Sequence, residues 1–104
     1  MEHTVEEKSF QFAVRIVRMS RCLKKRFREY DLSSQILRSG TSIGANIAEA
    51  QQAQSRADFL SKLSIALKEA SETGYWLRLL NATGLLSELV FSSLFNDCTE
   101  LQKL

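Results

Sequence analysis

The sequence predicts an all-α protein, an antiparallel up-down-up-down four-helix bundle forming a single domain over residues 1–104. Proline is absent and only four glycines occur, so few positions force a helix to break. No segment alternates apolar and polar residues for long enough to suggest a strand. Apolar residues instead recur at spacings of three and four through four stretches. The connections are about three to five residues, and connections that short make neighbouring helices antiparallel.

The first helix is expected over about 5–27. On a wheel of about 100° per residue, Phe12, Ile16, Met19, Leu23 and Phe27 share one face, with Ser20 beside them. Arg15, Arg18, Arg21, Lys25 and Arg28 lie opposite, with Arg26 at the edge. Phe10, Val14 and Val17 make a second apolar patch off the main stripe.

The second helix is expected over about 32–53, with Asp31 or Ser33 as its cap. Its middle, RSGTSIGANIAEAQQA, is rich in residues that are poor or neutral helix formers. A loop would have no reason to keep register, and this stretch keeps it. Ile36, Gly40, Ile43, Ile47 and Ala50 fall on one face, and Leu37, Thr41, Gly44 and Ala48 on the next. Gly40, Gly44 and Ala48 recur every four residues, which lets another backbone approach closely. That packing has to offset about 1 kcal/mol for each glycine relative to alanine. A polar stripe of Gln35, Ser39, Ser42, Asn46 and Glu49 is either the solvent face or a helix–helix or subunit contact. Its small uncharged members favour a contact, in which Asn46 and Glu49 would need partners.

The third helix is expected over about 56–82. Ser55-Arg56-Ala57-Asp58 matches a capping box, and Gly84 suits the left-handed position after the helix end. Its core stripe is Phe59, Leu63, Ala66, Leu67, Ala70 and Leu77, with Ile65 and Trp76 falling away from it. Ser87 caps a fourth helix, over about 87–103, with Val90, Phe91, Leu94, Phe95, Cys98 and Leu101 inward.

Two blocks carry a family resemblance: QILRSGTSIGANIAEA, followed by Asp58-Phe59, and KLSIALKEASETGYWLRLL at 62–80. From about Phe10 to Leu101 the chain resembles the bacterial four-helix bundles encoded in intervening sequences of 23S ribosomal RNA genes. That family is also similar to the accessory variability protein of diversity-generating retroelements. The resemblance implies a homo-oligomer, a pentamer, and a role in binding RNA or DNA. The matching positions are Arg38, Ser42, Ile43, Asn46, Ile47 and Glu49 in the first block. In the second they are Lys68, Glu69, Glu72, Tyr75, Trp76 and Leu77. Many relatives follow the first block with a glycine and then a basic residue. This chain reads Ala50-Gln51-Gln52, which argues against a nucleic-acid contact there. Gly74 stands where a larger residue is usual, a position that would loosen the helix or admit a neighbouring chain.

Enzymatic chemistry has little support. The single histidine, His3, sits near the start of the chain, away from any triad partner within the fold. No Glu-x-x-His pair, phosphate-cradling glycine loop or zinc-ligand spacing is present, so no cofactor or metal is expected. Glu69 and Glu72 are helical neighbours of a kind that charged faces produce routinely. Cys22 and Cys98, distant in sequence, read as reduced thiols in the core. The acidic start MEHTVEEK lacks the basic-then-apolar order of a secretory signal, and no apolar run approaches membrane-spanning length. The expected location is cytoplasmic, with no membrane partner and no small-molecule substrate.

Charge is the stronger functional signal. Eight Lys or Arg and no acid lie between Lys8 and Arg28, whereas the other positions hold six basic and twelve acidic residues. A cationic face of this kind concentrates polyanions and holds phosphates by counterion release. It can equally be a solvated face or pair with acidic patches. Two readings follow. In one, a non-enzymatic homo-oligomer contacts RNA or DNA backbone through Arg15, Arg18, Arg21, Lys25 and Arg28, and assembles through Trp76 and a motif of Arg38, Ser42, Asn46 and Glu49. In the other, a structural or adaptor module acts through protein–protein contacts alone.

Overall fold

Capping chemistry sets where the helices begin. The computed structural model describes residues 4–103, so His3 lies outside the described residues. Helix α1 covers Val5–Phe27, α2 Asp31–Ala50, α3 Arg56–Ala82 and α4 Glu88–Leu101. At three N-termini a hydroxyl accepts from a backbone N–H three residues on: Thr4 from Glu7 at 3.1 Å, Ser55 from Asp58 at 3.0 Å, and Ser87 from Val90 at 3.2 Å. Asp58 reaches back to the Gln54 N–H at 3.4 Å.

Helix α2 departs from expectation at both ends. Neither Asp31 nor Ser33 caps it; the Glu29 carboxylate accepts from the Leu32 N–H at 3.1 Å, and the Ser33 hydroxyl donates to the Tyr30 carbonyl at 3.2 Å. It ends at Ala50 rather than near Ala53. The N–H groups of Gln51, Gln52 and Ala53 each bond a carbonyl three residues back, at 3.2, 3.0 and 3.1 Å, which tightens the last turn. Helix α4 closes in the same way after Leu101, with Gln102 bonding Thr99 at 3.1 Å and Lys103 bonding Glu100 at 3.2 Å.

Long-range contacts give the directions. Along α1 and α2, Ser9 meets Gly44, Ile16 meets Gly40, and Ser20 donates to the Ser33 carbonyl. Along α2 and α3, Glu49 pairs with Lys62, and Ser39 meets Thr73. Along α3 and α4, Ala70 meets Cys98, Gly74 meets Phe95, and Asn81 donates to the Leu86 carbonyl. In each series one number rises as the other falls, so successive helices are antiparallel. Helix α4 closes the ring against α1, and among the described residues the diagonal helices do not approach each other's backbones, which is the up-down-up-down order expected.

The largest fully buried apolar side chains of the core are Phe12, Ile16 and Leu23 from α1, Ile36, Ile43 and Ile47 from α2, Leu77 and Leu80 from α3, and Leu94 and Cys98 from α4. Small residues set the α1–α2 spacing. A Cβ on Gly40 would lie 2.9 Å from both γ-carbons of Ile16, and one on Gly44 would lie 3.3 Å from the Ser9 carbonyl oxygen. The repeat stops there. Ser9 already opposes Gly44, so Ala48 falls level with the first turn of α1 and is exposed.

Gly74 admits a neighbour from its own chain. A Cβ there would meet Phe95 at 3.7 Å and Cys98 at 3.8 Å, ordinary contact distances. Phe59 and Val90, expected inside, stay 36% and 42% exposed. Helix α4 has 14 residues against the 27 of α3 and ends level with the middle of α3, so it leaves the first turns of α3 uncovered. Val90 sits in the first turn of α4, at the end of the bundle where α3 stops.

Candidate nucleic-acid interface

The outer side of α1 is built by exclusion. Its core stripe faces α2 and α4, which leaves Arg18, Arg21 and Lys25 within an arc of roughly 60° on the far side of the wheel. All three are exposed, as is Arg28 just beyond the last turn. None of the four is in an ion pair among the described residues. From Arg18 to Arg28 the row spans about 15 Å, the axial length of four to five base pairs in B-form DNA.

Arg15 departs from its expected role as a free phosphate contact. Its guanidinium is ion-paired with Asp97 and donates to the Ser93 hydroxyl at 2.8 Å, so it ties α1 to α4. The wheel placed Arg15 with the cations, but the residue lies on the α4 flank. Its partner is 82 positions away in sequence.

The second expected group, Arg38, Ser42, Asn46, Glu49 and Trp76, finds its partners inside the chain. Arg38 forks across to α3, reaching Glu69 at 3.2 Å and Glu72 at 2.7 Å. Ser42 donates to the Arg38 carbonyl at 2.6 Å, and Asn46 to the Ser42 carbonyl at 2.8 Å. Glu49 pairs with Lys62 at 3.4 Å. The Ser39 and Thr73 hydroxyls lie 2.9 Å apart, buried, and Thr73 donates to the Glu69 carbonyl at 2.7 Å. Ser39 and Glu49 of the polar stripe therefore meet α3, whereas Ser42 and Asn46 bond carbonyls of their own helix and Gln35 is exposed.

Trp76 differs from the sequence reading in the same direction. It packs half-buried against the core, stands edge-on to Tyr75, and its indole N–H donates to Glu72 at 3.4 Å. Desolvation acts to raise the Glu72 carboxyl. Hydrogen bonds from Arg38 and Trp76, with the Arg38 charge, outweigh it and hold Glu72 below its usual range. Arg38 is raised in turn, first by its hydrogen bond to Glu72 and then by the charges of Glu72 and Glu69.

Sequence reasoning missed the exposure of Phe27 and Tyr30 near the basic row. Phe27 belongs to the core stripe by wheel position but is 44% exposed, because α1 ends there and the chain turns away at Arg28 (φ 55°). Tyr30 is 58% exposed. Near the other end, Phe10 is 64% exposed beside a shallow groove lined by Ala13, Val14, Val17, Arg18 and Arg21. The thiols divide as well. Cys98 is buried and pushed up to about 11, mainly by burial and then by Asp97, whereas Cys22 is exposed rather than in the core.

The fold and this surface define a small antiparallel four-helix bundle with a cationic outer helix. Among described residues, no helix is long and apolar enough to cross a membrane. The chain belongs to the 23S rRNA-intervening sequence protein family, which matches it over residues 1–104. It is similar to a crystal structure of a protein of unknown function from the S23 ribosomal protein family of Bacteroides thetaiotaomicron VPI-5482. The identity is 57%, over 96% of this chain and 93% of that one, with a TM-score of 0.95. No curated protein matches the chain at the same level of significance.

Proposed function

We propose that this chain is a non-enzymatic, homo-oligomeric helical bundle that binds RNA or DNA backbone through the outer side of α1. The observation carrying the reading is selective pairing. Arg15 and Arg38 are committed to carboxylates, while Arg18, Arg21, Lys25 and Arg28 stay exposed without an ion pair among the described residues. A row of free cations on a rigid helix gains from every phosphate it neutralises, and copies of the row on an assembled ring would act together. Self-association is supported by exposed apolar side chains on α1 and α3, among them Phe10, Leu60 and Ile65. Two free thiols support a cytoplasmic setting.

The exposed Phe10 groove favours a second reading, a protein–protein adaptor that uses α1 without nucleic acid. Titration of labelled structured RNA and duplex DNA at low and high salt separates the two. Backbone binding predicts tight association at low salt that weakens steeply as salt rises. Absence of binding at low salt, with the assembly intact by native mass spectrometry, overturns the proposal in favour of the adaptor.

A further inference from the structure

We infer that the corner between α1 and α2 is a stacking platform for unpaired bases, so the nucleic acid taken by this face is single-stranded; the inference rests on the backbone-binding reading above. Lys24, Lys25, Arg26, Phe27, Arg28 and Tyr30 lie within seven consecutive positions, and both rings reach solvent, Phe27 at 44% and Tyr30 at 58% exposure. Cations alone would serve a duplex as well as a single strand. Exposed aromatic faces among them serve only bases that are free to leave the stack, because a duplex keeps its base faces covered.

The corner holds these rings on a fixed backbone. The Arg28 N–H bonds the Lys24 carbonyl at 3.1 Å, and the Glu29 N–H bonds the Leu23 carbonyl at 3.2 Å. The Glu29 carboxylate then accepts from the first turn of α2. Little chain entropy is left to lose when a base docks. That cap also occupies the acid nearest the cations, and Asp31, the other acid here, sits in the first turn of α2, where the helix dipole favours it. The Arg26 guanidinium lies over the Phe27 ring, 5.4 Å from its centroid, so it engages one face of that ring and a base would stack on the other. Lys25 and Arg28 stand exposed at the same end of α1, and Arg21 and Arg18 follow along its outer side, across the helix from Phe27, where they would take phosphates of a strand that rounds the corner.

Fluorescence anisotropy on the full chain tests this with a mixed-sequence RNA of about 12 nucleotides, single-stranded or annealed to its complement. Replacing both rings (Phe27→Ala with Tyr30→Ala) is expected to weaken single-strand binding by about tenfold or more and to leave duplex binding unchanged. The Phe27→Leu, Tyr30→Leu pair keeps apolar bulk but no π face, and is expected to behave like the alanine pair. Should the double variants lose their helical circular dichroism, Tyr30→Ser alone carries the test, with a smaller loss confined to the single strand. Equal losses for both RNA forms, no loss for either, or rescue by leucine would overturn the inference while backbone binding stands. If the unaltered protein binds neither form at low salt, the backbone reading falls and this inference with it.

Discussion

Arg38 on α2 reaches two carboxylates of α3, whereas Arg18 and Arg21 on α1 reach none among the described residues. All three side chains are exposed. The difference lies in what stands opposite. Arg38 lies where two helices must hold register, and its fork to Glu69 and Glu72 is continued by the buried Ser39–Thr73 contact. Arg18 and Arg21 lie on a side of α1 that no other helix covers. Paired arginines therefore serve the fold, and unpaired ones remain available for the proposed polyanion contact.

Exchanging the two groups gives the largest expected effect. Reversing both outer charges, Arg18→Glu with Arg21→Glu, should weaken RNA binding at low salt roughly a hundredfold with the melting temperature little changed. Arg38→Ala should do the opposite, lowering the melting temperature and leaving RNA affinity alone. Parallel anisotropy and thermal-melt series would show whether the two groups separate this cleanly.

The two packed faces differ in the same testable way. Gly40→Ala pushes a methyl group into Ile16 across the α1–α2 contact and should destabilise by about 1–3 kcal/mol. Gly74→Ala meets Phe95 and Cys98 at ordinary distances and should stabilise by up to about 1 kcal/mol through helix propensity. Denaturant melts of both variants should therefore shift in opposite directions.

The smallest effect is the pH response of the α2–α3 clamp. Glu72 is held below its ordinary value of 4.5, so the folded state favours its charged form. Its contribution to stability is complete above that value and is lost as pH falls through the lower folded value. Glu72→Gln should flatten the acid limb of the stability curve, and melts below about pH 4.5 would measure it.

Much of the bundle was legible in the sequence because its signals are local. Ser55, Ser87 and Gly84 mark helix ends through bonds and dihedrals within a few residues, and Gly40 and Gly44 announce close packing by their spacing. Helical-wheel reasoning failed where coverage depends on distant elements. Phe59 is left uncovered by the shortness of α4, and Phe27 by the end of its own helix. Arg15 and Trp76 looked free because Asp97 lies on another helix and because the indole, off the main stripe, still packs half-buried against the core. A polar stripe on α2 was visible, but the identity of its partner was a matter of which helix folds against it.

The salt dependence of single-stranded RNA binding tests the central claim most directly. Each neutralised phosphate contributes about −0.7 to the slope of log affinity against log salt, so Arg18→Gln with Arg21→Gln should make the slope shallower by about 1.4. An unchanged slope in a folded variant would contradict the account, because those two cations would then touch no phosphate.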